Sequence, residues 1–286
     1  MIRTTLRQLL QQKKTLLMPG AYNPCVARLI EQEGFDGVYI SGAGLANSMG
    51  IPDDGTLTRK DFTYFADLIA KAVRVPVICD ADTGFDSGAK NSVATTVKEY
   101  IRCGLSALHV EDQVFPKRCG HLSGKEVISR EAMQEKIHRM CRARDRYDMD
   151  FMIIARTDAR GAHNVEESRQ LEESIERGRA YLDAGADMIF PESLRTQAEF
   201  RKFRASTDAP LLANMTEFGR TRMLTAAQFE SLGYNIVIYP VSLFRYAANQ
   251  TLYALKSLRK NGNQSKLIAA MMRRERINSL LDYKPG

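Results

Sequence analysis

Two spacings of apolar residues alternate along this 286-residue chain. Eight short β-branched or apolar runs, at residues 16–18, 37–40, 75–80, 107–110, 151–155, 188–190, 211–213 and 236–239, each end in polar residues. Between them apolar residues recur at helical spacing, as in Phe62, Phe65, Leu68, Ile69, Ala72 and Val73, or Leu171, Ile175 and Leu182. Strand alternating with helix predicts a parallel sheet covered on both faces. Four helix patterns end at a glycine, Gly34, Gly104, Gly185 and Gly233, with a strand run starting two or three residues later. Glycine past a helix end takes a left-handed conformation that other residues resist. One kind of short turn, repeated, suits a closed ring of strands, and no Gly-x-Gly-x-x-Gly follows the first strand as a dinucleotide fold requires. The expectation is a single (β/α)8 barrel domain over residues 1–286. The barrel proper should span about 14–245, preceded by a short amphipathic helix and followed by a helical extension over about 246–286.

Composition narrows the setting. No stretch approaches the roughly 18 apolar residues of a membrane span, and the first twenty residues lack the apolar core of a secretory signal. Five cysteines, an odd number without a Cys-x-x-Cys pair, indicate neither a disulfide framework nor a zinc knuckle. These features predict a cytoplasmic chain that does not engage a membrane. A net charge of +7 can serve nucleic acid, but the basic residues interleave with acids, as in Arg142-Ala-Arg-Asp145-Arg146. A solvated, mildly basic surface is the expected reading, with no nucleic-acid partner.

In a barrel, chemistry sits where the strands end. The polar residues gather there: Ser41, Asp80 and Asp82, Glu111 and Asp112, Arg156 and Asp158, Glu192, Asn214 and Thr216, then Arg245. Each alone would pass for a helix cap; contributions from seven strands together predict a site. Asp80 and Asp82, two apart on a strand, would share one face and repel unless a cation lies between them. Oxygen ligands without histidine select Mg2+ or Mn2+, and Glu111 could hold a metal-bound water. The alternative is an Asp pair capping the next helix. Lys117-Arg-Cys-Gly-His121 lies in a long polar stretch, where positive neighbours would lower the Cys119 pKa. A surface cysteine with basic flanks is the competing reading. Arg156, Arg245 and Lys117 could clamp carboxylates.

These residues resemble the isocitrate lyase and phosphoenolpyruvate mutase superfamily. Lys117-Arg-Cys-Gly-His121 shortly after Glu111-Asp-Gln resembles its signature. So do Tyr39-Ile-Ser-Gly-Ala43, Gly50-Ile-Pro-Asp53, Asp80-Ala-Asp-Thr-Gly-Phe85, Ala155-Arg-Thr-Asp-Ala159, Phe190-Pro-Glu192, Asn214-Met-Thr-Glu-Phe-Gly219 and Tyr239-Pro-Val-Ser-Leu-Phe-Arg245. Within it the chain is most similar to the methylisocitrate lyases. The resemblance implies a (β/α)8 barrel whose C-terminal helices are exchanged between subunits, as a homotetramer. It implies cleavage of 2-methylisocitrate, a small polycarboxylate, into pyruvate and succinate with Mg2+. Asp80 and Asp82 would hold the metal, with Glu111 acting through water. Ser41, Gly42, Ala43, Gly120, Glu192, Asn214, Met215, Thr216, Arg245 and Arg274 would bind substrate, Arg274 across a subunit boundary. Asp86 departs from the family pattern, standing where a glycine is usual.

The chemistry implied is a retro-aldol (retro-Claisen-type) cleavage. A base, either Tyr39 or Asp53, removes the hydroxyl proton, and Cys119 protonates the carbanion that becomes succinate. His121 and Arg156 stabilise charge nearby. Phe190 and Ile238 are apolar enough to accept the extra methyl. The alternatives are a sister activity, namely isocitrate or dimethylmalate cleavage, oxaloacetate hydrolysis or phosphonopyruvate chemistry, or a catalytically silent binding barrel.

Overall fold

The computed structural model describes residues 5–89, 91–117 and 124–284. The strands are β1 (Leu16–Pro19), β2 (Val38–Ile40), β3 (Val77–Asp80), β4 (Ala107–Glu111), β5 (Met152–Thr157), β6 (Met188–Pro191), β7 (Leu212–Asn214) and β8 (Ile236–Tyr239). All the ladders are parallel: β2 to β6 pair in chain order, and β1 and β7 flank β8. Two isolated parallel bridges, Gly20 with Tyr39 and Ile189 with Leu211, join these sheets at both seams and close the ring. At Gly20 a Cβ would lie 2.0 Å from the Pro240 carbonyl oxygen, so only glycine lets the chain pass there.

Strand residues alternate between two cores, as a period of two dictates. Leu16, Met18, Ile78, Ala107, Met152, Ile154, Met188, Phe190, Leu212, Ile236 and Ile238 fill the interior of the ring. Val77, Cys79, Leu108, Val110, Ile153, Ala155, Ile189, Ala213 and Val237 face outward, under the helices. The same inward parity, followed towards each strand's C-terminal end, reaches Asp80, His109, Glu111, Arg156 and Asn214. A polar layer thus lies directly above an apolar plug.

The helices form for local reasons. Arg59–Ala72 starts at Thr58, which exchanges side-chain and backbone hydrogen bonds with Asp61, and buries Phe62, Ala66, Ile69 and Ala70 at one-face spacing. Burying a residue such as Ile69 contributes about 1.5–3 kcal/mol. The turn glycines Gly34, Gly104, Gly185 and Gly233 all have positive φ, between 77° and 101°. At the opposite mouth, helix Leu6–Gln12 inserts Leu6 into the interior cluster, and Arg7 pairs with Asp187 at 2.7 Å.

After β8, helix Ser242–Asn261 buries none of its residues and leaves Tyr246, Leu252, Tyr253 and Leu255 exposed. Helix Arg274–Leu280 returns to helix Pro24–Gln32, where Arg28 donates to Leu280 O at 3.0 Å. The parallel α/β architecture and the added C-terminal helices agree with the sequence expectation. No helix among the described residues is long and apolar enough to cross a membrane.

Candidate active site

A cavity of about 550 Å3 opens at the C-terminal ends of the strands. From the residues singled out in the sequence it gathers Tyr39, Ser41, Ala43, Asp53, Asp80, Glu111, Lys117, Arg156, Phe190, Glu192, Asn214, Thr216 and Arg245. Gly42 and Asp82 line an adjoining cleft that shares Asp53. Asp112 and Asp158 lie behind the cavity wall, and three residues expected at the substrate do not border it. Met215 turns into the outer core, where its Sδ accepts the Leu224 N–H at 3.2 Å. Ile238 belongs to the apolar filling below. Arg274 is exposed at the start of its helix, away from the cavity of its own chain. Cys119, Gly120 and His121 lie outside the described residues.

β3 ends at Asp80, so strand alternation does not carry on to Asp82, which takes a left-handed φ of 45°. Such strain in a non-glycine residue persists only where surrounding contacts hold it. Asp82 N donates to Asp80 Oδ1 at 2.9 Å and Gly42 N to Asp80 Oδ2 at 3.2 Å. Gly42 matters for its lack of a side chain. A Cβ there would lie 3.0 Å from Asp80 Oδ2 and 3.4 Å from Asp82 Oδ1, so the two carboxylates converge over the Gly42 backbone. Lys117 Nζ sits 2.8 Å from Asp82 Oδ1 and 2.6 Å from Asp53 Oδ1.

Arg156 is the cationic centre of the far wall. Its Nη2 lies 3.3 Å from Glu111 Oε2 and 3.8 Å from Glu192 Oε2, while Nε donates to Asp158 Oδ2 at 2.8 Å. The guanidinium also stands over the Phe190 ring, 5.2 Å from its centroid. Glu192 is held by Ser193 N at 2.7 Å and Asn214 Nδ2 at 3.1 Å. At the rim, Arg245 Nη1 donates to Glu217 O at 2.7 Å and reaches Glu217 Oε2 at 3.1 Å.

Burial and charge set the protonation states. Burial pushes the Glu111 carboxyl well above its usual range, only partly opposed by Arg156. It also raises Asp82 to about 7, against the pull of Lys117. For Asp80 burial acts the same way, but His109, Lys117 and Arg156 outweigh it and the group stays below the usual range. Burial lowers His109 to about 4, which leaves it neutral near pH 7. Six carboxyl groups (Asp53, Asp80, Asp82, Glu111, Asp158 and Glu192) share three buried cations, Lys117, Lys125 and Arg156, and the raised Glu111 and Asp82 mark the shortage of positive charge. The imbalance favours a divalent cation.

The donor set fits Mg2+ or Mn2+. It is all oxygen, Glu111 Oε1 is buried without a hydrogen-bond partner, and Asp80 and Asp82 converge on one point. Among the described residues no three His, Cys, Asp or Glu side chains form a cation cage. Mg2+ does not need one, because it keeps several waters and takes one or two carboxylates plus ligand oxygens.

Some of the site was not anticipated. His109 Nε2 lies 2.7 Å from Tyr39 Oη, and its Nδ1 is 3.7 Å from Asp80 Oδ1. A histidine in the apolar run Ala-Leu-His109-Val reads as core, yet its parity with Glu111 points it to the same interior. Asn47, Asp54, Glu217, Phe218 and Pro240 also line the cavity. They stand one to fourteen residues beyond strand ends, where alternation no longer tells which way a side chain faces.

A closed parallel barrel with an acidic, arginine-containing cavity at its strand ends defines a barrel enzyme for small anionic substrates. Residues 6–259 match the phosphoenolpyruvate phosphomutase family, and the chain belongs to that family. It is 44% identical over 278 residues to 2-methylisocitrate lyase of Aeropyrum pernix, covering 97% of this chain and 86% of that one. Its structure is similar to a crystal structure of 2,3-dimethylmalate lyase, with a TM-score of 0.89 and 34% identity, covering 99% and 93% of the two chains. It is also similar to phosphonopyruvate hydrolase in complex with oxalate and Mg2+, with a TM-score of 0.84 and 32% identity, covering 97% and 93%.

Proposed function

We propose that this protein is a Mg2+-dependent carbon–carbon lyase that cleaves 2-methylisocitrate into pyruvate and succinate. One observation carries the reading: Asp80 lines one cavity with Arg156, Tyr39 and Phe190, and Asp82 converges on Asp80 from the adjoining cleft. The similarity to a 2-methylisocitrate lyase supports the choice of substrate.

Asp80 and Asp82 would hold the metal, with Glu111 acting through water; Mn2+ suits the same oxygens. Bound Mg2+ supplies electrostatic stabilisation for the substrate oxygen that becomes the pyruvate carbonyl. Arg156 binds a carboxylate, helped by Asn214, Thr216 and the backbone around Ser41, Gly42 and Ala43. Arg245 takes the outer carboxylate at the rim. Tyr39 is the base that geometry favours over Asp53. Its oxygen already contacts His109, the partner to which a phenol proton would pass as Tyr39 takes the substrate's; burial keeps both groups neutral before substrate arrives. Asp53 is engaged by Lys117. The hydroxyl electrons form the pyruvate C=O, the carbon–carbon bond breaks, and its electron pair stays on the succinate carbon. Cys119 donates the proton that completes succinate, with His121 beside it; these roles rest on the family resemblance. Exchange of the C-terminal helices within a homotetramer would cover the apolar face of helix Ser242–Asn261 and bring a partner's copy of the Arg274 helix towards the site.

Likeness to 2,3-dimethylmalate lyase favours one second reading, cleavage of that smaller diacid. Product analysis by proton NMR separates the two. Equal amounts of pyruvate and succinate from 2-methylisocitrate, in the presence of Mg2+, are expected; no succinate would refute the proposal.

A further inference from the structure

One buried charge beside the site has no part in the mechanism above. Lys125 and Asp158 are both fully buried and pair at 2.9 Å. A lysine is almost never fully buried without such a partner. The segment that carries it is stitched down on both sides. His163 N donates to Lys125 O at 2.7 Å, and Asn164 brackets Val127 through two hydrogen bonds of 3.0 and 2.8 Å. Ile128 N donates to Asp112 O at 2.8 Å. The ammonium therefore has a fixed place.

Asp158 is shared. Its Oδ2 accepts Arg156 Nε at 2.8 Å, and its Oδ1 accepts both Arg156 Nη2, at 3.1 Å, and Lys125. Arg156 also faces Glu111 and Glu192, so without Lys125 one guanidinium would answer to three buried carboxylates. Little of its positive charge would then be felt in the cavity. We infer that Lys125 is a positioning residue of this site: it offsets Asp158, so that Arg156 stays available to a carboxylate of the ligand. Lys125 does not line the cavity, and its route to the ligand runs through Asp158 and Arg156. The inference rests on the polycarboxylate reading of the site but not on turnover.

Titration calorimetry with oxalate, in the presence of Mg2+, tests it. Lys125→Met should weaken oxalate roughly tenfold or more, because at an effective dielectric of about 20 a unit charge is felt well beyond contact distance. Adding Asp158→Asn to that variant restores the charge balance and should recover affinity to within a few fold of wild type. A merely structural role predicts a double variant no better than the single one, which would overturn the inference. Should Lys125→Met not fold, Asp158→Asn alone decides. It keeps Lys125 and removes an acid, so oxalate should bind at least as tightly as to wild type, and weaker binding contradicts the charge argument. Failure of the wild-type protein to bind oxalate would overturn the polycarboxylate reading and this inference together. Failure to cleave 2-methylisocitrate would overturn only the proposed reaction.

Discussion

Replacing Tyr39 with phenylalanine removes a single oxygen from the centre of the site. Tyr39 is 2% exposed, and its ring stacks on His109 with centroids 5.7 Å apart, so the packing survives the change. The loss is the 2.7 Å contact between Tyr39 Oη and His109 Nε2. His109 Nδ1 already has no hydrogen-bond partner, so the variant leaves the buried imidazole without any. An unsatisfied buried group costs about 1–3 kcal/mol, which for a chain of this length lowers Tm by roughly 2–5 °C. The catalytic effect should be larger. If Tyr39 takes the hydroxyl proton, kcat should fall by about 10²–10⁴-fold while substrate affinity changes little. Pyruvate release coupled to NADH oxidation gives kcat, and calorimetry gives Kd. Asp53→Asn, made in parallel, should cost less, because Lys117 keeps Asp82 as its partner. A Tyr39→Phe enzyme with kcat within a few fold of wild type, beside an inactive Asp53→Asn, would refute the assignment and make Asp53 the base.

Two further outcomes follow from the same geometry. Asp80→Ala should stay folded by circular dichroism yet lose both activity and the thermal stabilisation that Mg2+ gives, since a carboxylate of the metal pair is gone; an undiminished Mg2+ shift would remove Asp80 from the metal site. His109, at about 4 against an ordinary 6.5, binds fewer protons folded than unfolded, so stability rises with pH across that window and is lost as pH falls. The contribution is about 3 kcal/mol. Urea unfolding between pH 4 and 7 should give a flatter profile for His109→Gln, and an unchanged profile would place the dependence on other groups.

The strands were legible because parallel strands covered on both faces are written as continuous apolar runs, here bounded by turn glycines. The eight runs fall within two residues of the observed strands, and the cavity forms where their polar ends meet. What was hidden depends on the third dimension. Nothing local says that Leu6 plugs the opposite mouth or that Met215 turns outward after Asn214. The Asp80–Asp82 argument assumed that the strand continues, whereas the chain turns at Asp82 and converges on Gly42 instead. Lys125, in a polar Gly-Lys-Glu stretch, reads as a solvated side chain, and only the burial of Asp158 beneath it makes it part of the site. Arg274 shows the reverse limit, since its place relative to a cavity can depend on a second subunit that one chain's sequence pattern does not describe.

The central claim is a preference among related acids, and kcat/KM measured side by side tests it most directly. The panel is 2-methylisocitrate, isocitrate, 2,3-dimethylmalate and oxaloacetate, each with Mg2+ and again with excess chelator. A methyl group in an apolar pocket is worth about 1–3 kcal/mol, so 2-methylisocitrate should exceed isocitrate by roughly 10–200-fold. It should also lead the panel, and the chelator should abolish turnover. Faster turnover of another member, or full activity under chelation, would contradict the account.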